Sequence, residues 1–233
     1  MSAPVHRAYD AAAVVIPAHN ERAKLPSCLR AVLTAALCAP IPVMIVVVLD
    51  DCDDGSAELA GQYGPDVHFV QVDARNVGAA RAVGFNYARS LLDADDKCWY
   101  ATTDADSRVD PGWLVHQLGL GADVVLGVVR VTDWRSAADV AERYTAAYEA
   151  DSEHIHGANM GFSARAYWRV GGFRPLATGE DVDLVGRFEA AGYCIHRDTE
   201  LSVITSARIQ ARAPHGFAHH LRQLRRSAAG DCA

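Results

Sequence analysis

Apolar and polar positions alternate between two periods along this chain. Ala12 to Ile16 is an unbroken apolar run ending at Pro17, which reads as a strand. From Glu21 to Leu37, the residues Leu25, Leu29, Val32, Leu33 and Leu37 return at helical spacing. Pro42 introduces Val43 to Leu49, a continuous Val/Ile run of the kind buried on both faces of a sheet. A short helix is predicted from about Ser56, with Ser56 as its N-cap. Val67 to Val72 reads as a third strand, Val77 to Leu92 as a helix carrying Arg81 and Arg89, and Cys98 to Thr103 as a fourth strand. Pro111 opens a helix at a favoured first position. Val124 to Val131 is another strand, and Ser136 to Asp151 a helical pattern with Tyr144 and Tyr148. Finally, Gly179-Glu180-Asp181 precedes Val182, Leu184, Val185, Phe188 and Ala191, an amphipathic helix ending near Gly192.

Strands alternating with helices predict an α/β fold. Its central sheet is mostly parallel, covered by helices on both faces and joined by right-handed crossovers. Such sheets bind ligands beyond the carboxyl ends of their strands. Two acidic clusters fall on that edge. Asp50-Asp51 closes the second strand and Asp104-Ala105-Asp106 closes the fourth.

Composition narrows the picture. The 233 residues are 50% apolar and 22% charged, with no repeat or linker, so one globular unit with a sizeable core is expected. The net charge of -7 argues against a nucleic-acid polymer as partner. No apolar stretch reaches the roughly 18 residues of a membrane span. Residues 1–10 include His6, Arg7 and Asp10 and do not resemble a signal peptide. The six cysteines form no C-x-x-C pair and read as reduced, mostly structural thiols of a cytoplasmic protein.

The acids carry the candidate chemistry. Asp104 and Asp106, two apart after a buried strand, can turn toward one Mg²⁺ or Mn²⁺, which prefer oxygen ligands and substrate phosphates. A turn rich in Asp is the competing explanation. Asp50 continues a buried run and offers a carboxylate to a base N–H of a nucleotide, whereas Asp53 and Asp54 fit turn and capping roles. Glu180 and Asp181 suit either the dipole of a helix start or a general base. Asn76 to Arg81 is a small-residue turn in which Gly78 permits close approach of a ligand and Arg81 can meet a phosphate. Neither G-x-G-x-x-G nor G-x-x-x-x-G-K-[ST] occurs. Between Glu200 and Asp231 the chain has no acid but carries Arg208, Arg212, Arg222, Arg225 and Arg226. That segment reads as a basic amphipathic helix. It is a solvated helix packed by its apolar side, a lid over a diphosphate, or a peripheral contact with an anionic membrane at the cytoplasmic face. His215, His219 and His220 lie in it, and one of them would complete a metal site only if the helix came near.

In order along the chain, these segments resemble family 2 glycosyltransferases with the GT-A, Rossmann-like fold. Val14-Val15-Ile16-Pro17-Ala18-His19-Asn20-Glu21 resembles the family's first nucleotide-binding strand and turn. Val46 to Ser56 is similar to its second strand and acidic turn, Asn76 to Arg81 to its Gly-x-x-x-Arg stretch, and Asp104-Ala105-Asp106 to its D-x-D. Gly157-Ala158-Asn159-Met160 through Gly171-Gly172-Phe173 to Glu180-Asp181 resembles its acceptor-side block. The resemblance implies one GT-A domain over 1–233, with a nucleotide-sugar half at about 12–121, an acceptor half at about 122–205 and a basic tail at about 206–233. By the same resemblance Pro17, Ala18, Glu21, Gly78, Arg81 and Asp104 border the donor, and Asp50 or Asp51 meets the base. Asp106, with Asp104, holds a divalent metal, Asn159 and Met160 face the acceptor, and Asp181, beside Glu180, is the base. The implied reaction moves one sugar from a nucleoside-diphosphate sugar, UDP-sugar favoured, to an acceptor hydroxyl with inversion. The chain departs from the family at Asp51 and Cys52, where Gly and Ser are common. It also lacks the Q-x-x-R-W of processive synthases, since Gln223-Leu224-Arg225-Arg226-Ser227 has no Trp. A nucleotidyltransferase acting on a sugar phosphate and a catalytically silent nucleotide-sugar-binding module are the alternatives. The former wants a Gly-rich basic phosphate loop, which Pro17-Ala18-His19-Asn20 does not supply.

Overall fold

A computed structural model of the chain describes residues 9–92, 97–131, 134, 155–176 and 178–205. Seven strands form one sheet: β1 (Ala11–Ala18), β2 (Val43–Asp50), β3 (Val67–Val72), β4 (Cys98–Thr102), β5 (Val124–Val131), β6 (Met160–Ser163) and β7 (Ile195–Thr205). The helices are α1 (Leu25–Cys38), α2 (Val77–Leu91), α3 (Trp113–Gly119), α4 (Ala164–Arg169) and α5 (Glu180–Ala190). The strand order is β3-β2-β1-β4-β6-β5-β7. β1, β2, β3 and β4 pair in parallel, as do β5 and β7, while β6 runs antiparallel between β4 and β5. The sheet is therefore mostly parallel, as the alternating pattern predicts, with one reversed strand.

The strands bury both faces, which is why their sequences read as unbroken apolar runs. Ala12, Val14 and Ile16 of β1 pack with Leu25, Leu29 and Val32 of α1 and Trp113 and Leu114 of α3. Their neighbours Ala13 and Val15 pack on the other face with Phe85 of α2, Tyr167 of α4 and Leu184 of α5. Phe85, Tyr100, Phe162 and Tyr167 form an aromatic cluster, with Phe85 stacked on Tyr100 at 4.8 Å and Phe162 on Tyr167 at 5.2 Å. Each fully buried aliphatic or aromatic side chain contributes about 1.5–3 kcal/mol. A charge at Val14 or Val15 would break the layer it enters. Burial also pushes the Cys98 thiol up to about 12, which makes it structural rather than reactive.

Element ends differ from the sequence reading for local reasons. Glu21 to Lys24 form a turn in which the Glu21 carbonyl accepts the N–H groups of Lys24 and Leu25, and α1 starts at Leu25 with Pro26 in its first turn. Ser56 is not a cap: it is the first residue of a 3₁₀ turn, Ser56–Leu59, behind left-handed Gly55. Its hydroxyl donates instead to Asp54. α3 starts at Trp113, two residues after Pro111, because Asp110 accepts the Gly112 and Trp113 N–H groups first. β6 and β7 were not foreseen. β6 is a four-residue strand, too short to show a period, and β7 alternates weakly and carries a register shift opposite Gly127/Val128. The helical pattern at Ser136 to Asp151 and the basic segment 206–233, with its histidines, lie outside the described residues. Among the described residues no helix is long and apolar enough to cross a membrane.

Candidate active site

The carboxyl ends of β1, β2, β3 and β4 lie side by side, and the loops leaving them are tied together. Among the described residues, those other than glycine with positive φ are Asn20 (55°), Asp51 (50°) and Arg75 (47°), one after each of β1, β2 and β3. Strained backbone of this kind collects at functional sites. Pro17 is half-buried in β1, opposite Val48, and Ala18 and Glu21 are buried beside it. The Cys52 sulfur accepts the Asn20 N–H at 3.3 Å and donates to the Ala18 carbonyl at 3.3 Å. The Asn20 side-chain oxygen accepts the Asp53 N–H at 2.9 Å. Asp54 accepts the Arg22 N–H at 2.7 Å and the Ser56 N–H at 3.0 Å. Burial raises its pKa, but these bonds and the Ser56 hydroxyl outweigh it and hold the carboxyl below its ordinary value. Asp53 and Asp54 are turn residues, as expected.

Asp50 serves the scaffold. Its buried carboxylate accepts three backbone N–H groups, from Ala74 at 2.7 Å, Arg75 at 2.8 Å and Asn76 at 2.8 Å. It thereby fixes the loop from β3 to α2. Both of its oxygens are engaged by the loop, which favours Asp51 over Asp50 as the acid turned outward at this strand end. Asp51 is the acid at this strand end that stays half-exposed, paired with the guanidinium Nε of Arg75 at 2.6 Å.

Arg81 is the hub of the site. Asn76 caps α2 by accepting the Ala79 N–H at 2.9 Å, which sets the helix start and places Arg81 in its second turn. The Arg81 side chain is 3% exposed. Its Nε donates to the Thr102 hydroxyl at 3.3 Å, one Nη donates to Asp104 at 2.8 Å, and the other donates to Glu180. The guanidinium lies 5.5 Å from the centre of the Phe173 ring. Burial alone would lower its pKa, but Asp104, Glu180 and Asp181 outweigh that and raise it, so the cation persists. Arg81 thus joins the end of β4 to the start of α5. A threonine closing a strand and a phenylalanine after two glycines carry no chemical signature, so the contacts of Thr102 and Phe173 with Arg81 are not legible in the sequence.

α5 starts after left-handed Gly179, with Glu180 buried and Asp181 half-buried. Asp181 accepts the Gly157 N–H at 2.8 Å on one oxygen and the Val182 N–H at 2.9 Å on the other. Each oxygen keeps a lone pair, and the acid is oriented rather than enclosed. Burial raises the pKa of Glu180; Arg81 lowers it, and Asp181 and Asp104 raise it further, for a net rise. Asp104 is raised in the same way, by burial first, against Arg81 and with help from Asp106 and Asp181. Gly157 must lack a side chain, because a Cβ there would stand 2.5 Å from the Arg81 guanidinium.

One guanidinium therefore binds two carboxylates, Asp104 and Glu180, while Asp106 and Asp181 add their charge beside Asp104. The surplus negative charge and the all-oxygen donors of Asp104 and Asp106 fit a hard divalent cation. Asp106 is half-buried and takes a long contact of 3.4 Å from the Thr205 hydroxyl. Among the described residues no group of three His, Cys, Asp or Glu side chains is placed to hold a metal by itself, so further ligands would have to come from bound phosphates or water.

Three other residues expected at the site are packed within the protein itself. Asn159 is fully buried: its amide donates to the carbonyls of Val128 at 2.9 Å and Leu201 at 2.8 Å and accepts the Trp113 indole N–H at 2.8 Å. It braces β5, β7 and α3. Met160 opens β6 inside the second core layer, also with no exposed surface. Gly78 faces protein rather than ligand, since a Cβ there would stand 2.2 Å from the Arg174 carbonyl.

A family model described as glycosyl transferase family 2 matches residues 13–168, a span that contains the strand-end acids and Arg81. Among solved structures, residues 1-349 of S. aureus TarS in complex with UDP-GlcNAc align over 91% of this chain and 64% of that one, with TM-score 0.64 at 11% identity. The mannosyltransferase PcManGT from Pyrobaculum calidifontis in complex with GDP-Man and Mn²⁺ aligns over 95% of this chain and 62% of that one, with TM-score 0.64 at 18% identity. This chain thus spans less than two thirds of either protein, and the likeness extends to the fold. With the family model covering most of the chain, from β1 to α4, the conclusion is that the chain belongs to glycosyl transferase family 2.

Proposed function

We propose that the protein transfers a single sugar from a nucleoside-diphosphate sugar to an acceptor hydroxyl with inversion, and that a divalent metal assists. The observation that carries this reading is the Arg81 network, which ties Asp104 at the end of β4 to Glu180 at the start of α5, next to Asp181. The donor class is carried over from the family and from neighbours solved with UDP-GlcNAc and with GDP-Man and Mn²⁺. UDP-sugars are the favoured donors. In this reading residues 12–121 hold the donor and 122–205 the acceptor.

Pro17, Ala18 and Glu21 border the nucleotide, and Asp51 meets its base. Asp104 and Asp106 face the diphosphate, where a Mn²⁺ or Mg²⁺ ion would supply positive charge against the charge growing on the leaving group. Arg81 holds Asp104 in place and keeps Glu180 turned away from the acceptor. Asp181 takes the acceptor hydroxyl proton as the new bond forms. Its contact with the Gly157 N–H fixes the angle from which it does so.

The test is a donor screen of UDP-, GDP- and dTDP-sugars with Mn²⁺ that reads released nucleoside diphosphate, beside calorimetry with the free diphosphates. Binding and release together support the transferase, and binding without release in any acceptor mixture supports a silent binding module. Absence of both would remove the proposal.

A further inference from the structure

Asp106 sits in a turn held by β7, the last strand of the sheet, 99 residues further along the chain. Ala105 and Val109 anchor this turn in the first core layer, and the Ser107 N–H donates to the Asp104 carbonyl at 3.0 Å. Arg108 and Ile204 exchange backbone bonds, the Arg108 N–H to the Ile204 carbonyl at 2.8 Å and the Ile204 N–H to the Arg108 carbonyl at 3.0 Å. The bridge brings the Thr205 hydroxyl between two side chains of the turn. It lies 3.1 Å from the Ser107 hydroxyl and 3.4 Å from Oδ1 of Asp106. An ionised carboxylate only accepts, so the Thr205 proton is directed to Asp106 and the Ser107 hydroxyl donates to Thr205. Ser107 is buried and Thr205 half-buried, which limits competition from water.

The position of Thr205 is built into β7. Pairing with β5 runs to Gly127↔Asp198, skips Thr199, Glu200 and Leu201, and resumes at Val128↔Ser202. Asp198 closes this bulge by accepting the Glu200 N–H at 2.8 Å and the Leu201 N–H at 3.1 Å. Asn159 holds the Leu201 carbonyl at 2.8 Å. The shifted register sets Thr205 opposite Val131, with its hydroxyl at the turn. Bulges re-aim side chains in this way beside active sites. The other acids of the crevice are held from elsewhere, Asp104 and Glu180 by Arg81, and Asp181 by the Gly157 and Val182 N–H groups.

Resting on the metal-assisted reading above, we propose that Thr205 is a positioning residue, whose hydroxyl orients the Asp106 carboxylate and thereby sets how tightly the site holds a divalent cation. A hydrogen bond to one oxygen restrains rotation of the carboxylate, so less of that freedom is lost when an ion arrives. Partners that orient a metal ligand in this way are typically worth about 10–100-fold in metal affinity. Threonine also suits a strand through its branched side chain alone, which would make it merely structural. Valine keeps that shape without the hydroxyl, and serine keeps the hydroxyl without the branch. The two substitutions therefore separate the roles.

The experiment is calorimetry of UDP and GDP over a series of Mn²⁺ concentrations, on the full chain and on Thr205→Val and Thr205→Ser, beside urea unfolding of all three. The reading is the Mn²⁺ concentration that half-maximally enhances diphosphate binding. Thr205→Val should raise it at least about tenfold with the unfolding midpoint unchanged, and Thr205→Ser should stay within about threefold of the parent. An unchanged Mn²⁺ midpoint in Thr205→Val overturns the assignment and leaves the transferase reading intact. So does a loss in Thr205→Ser equal to that in Thr205→Val, or unfolding of Thr205→Val, since either makes the side chain's shape the cause. If the parent binds a diphosphate equally with and without Mn²⁺, the metal and this assignment fall while the donor class stands. If it binds neither diphosphate, all fall together.

Discussion

Asp50 and Asp104 arise from the same signal, an acid where a buried apolar run ends, and the fold uses them in opposite ways. Asp50 is surrounded by three backbone N–H groups and belongs to the scaffold. Asp104 receives one bond from Arg81, lies near Asp106 and Asp181, and has its pKa raised by burial and by those carboxylates. The first is satisfied in the protein alone. The second sits in an excess of negative charge that a ligand or cation can relieve. Of these two strand-end acids, the one whose charge remains for a ligand or cation to meet is therefore Asp104.

This contrast can be broken most severely at Arg81. Arg81→Ala leaves Glu180 buried without its partner and should cost about 3–5 kcal/mol in urea unfolding, with transfer lost as well. The next effect separates the two aspartates. Asp50→Ala strands three N–H groups and should cost about 3 kcal/mol of stability. Asp104→Ala should change stability by less than about 1 kcal/mol, because removing one of several crowded carboxylates offsets the lost bond to Arg81. It should nonetheless remove Mn²⁺-dependent donor binding seen by calorimetry. Equal stability losses for the two variants would show that the distinction is wrong.

Asp181→Asn can keep one of the two backbone contacts, through its single side-chain oxygen, and loses the basic group. Turnover should fall at least about 100-fold with donor affinity preserved, and near-parent turnover would exclude Asp181 as the base. Gly78→Ala drives a Cβ to 2.2 Å from the Arg174 carbonyl, which is backbone and cannot swing away. A destabilisation of about 1–3 kcal/mol in thermal or urea unfolding is expected, without base-selective effects on nucleotide binding.

The mildest effect is on pH dependence. Burial, helped by Asp181, raises the Glu180 pKa above its ordinary 4.5 against the pull of Arg81. The folded state then holds this proton more tightly than the unfolded chain. The group's contribution to stability is full below its unfolded value and is lost as pH rises through the raised folded value. The stability of the parent relative to Glu180→Gln should therefore decline across that window. A difference that is flat with pH would place Glu180 in a less buried setting.

Much of the N-terminal half could be read directly from the chain. Val43 to Leu49 can only be a strand buried on both faces, and an acid straight after it must emerge at the carboxyl edge. Local patterning also fixed β3, α2 and β5 to within a residue. The half after β4 resisted the same reading. Asn159 looks like a polar contact in a small-residue loop, yet its amide closes three strand and helix bonds in the core. Its role depends on β5, β7 and α3, which are distant in sequence. β6 is too short for periodicity to show that it runs antiparallel.

The sequence by itself determined the α/β layering and the acids that emerge at the carboxyl edge of the sheet, because periodicity and strand-end position are local properties. Only the tertiary structure decided which of those acids are already satisfied and which remain to act. Hydrogen bonds from Ala74, Arg75 and Asn76 claim Asp50, and the meeting of Arg81 with Asp104 and Glu180 spans almost a hundred residues of chain. Whether a carboxylate is a brace or a reagent depends on what surrounds it in space, and that is set by pairing between segments that no local pattern connects.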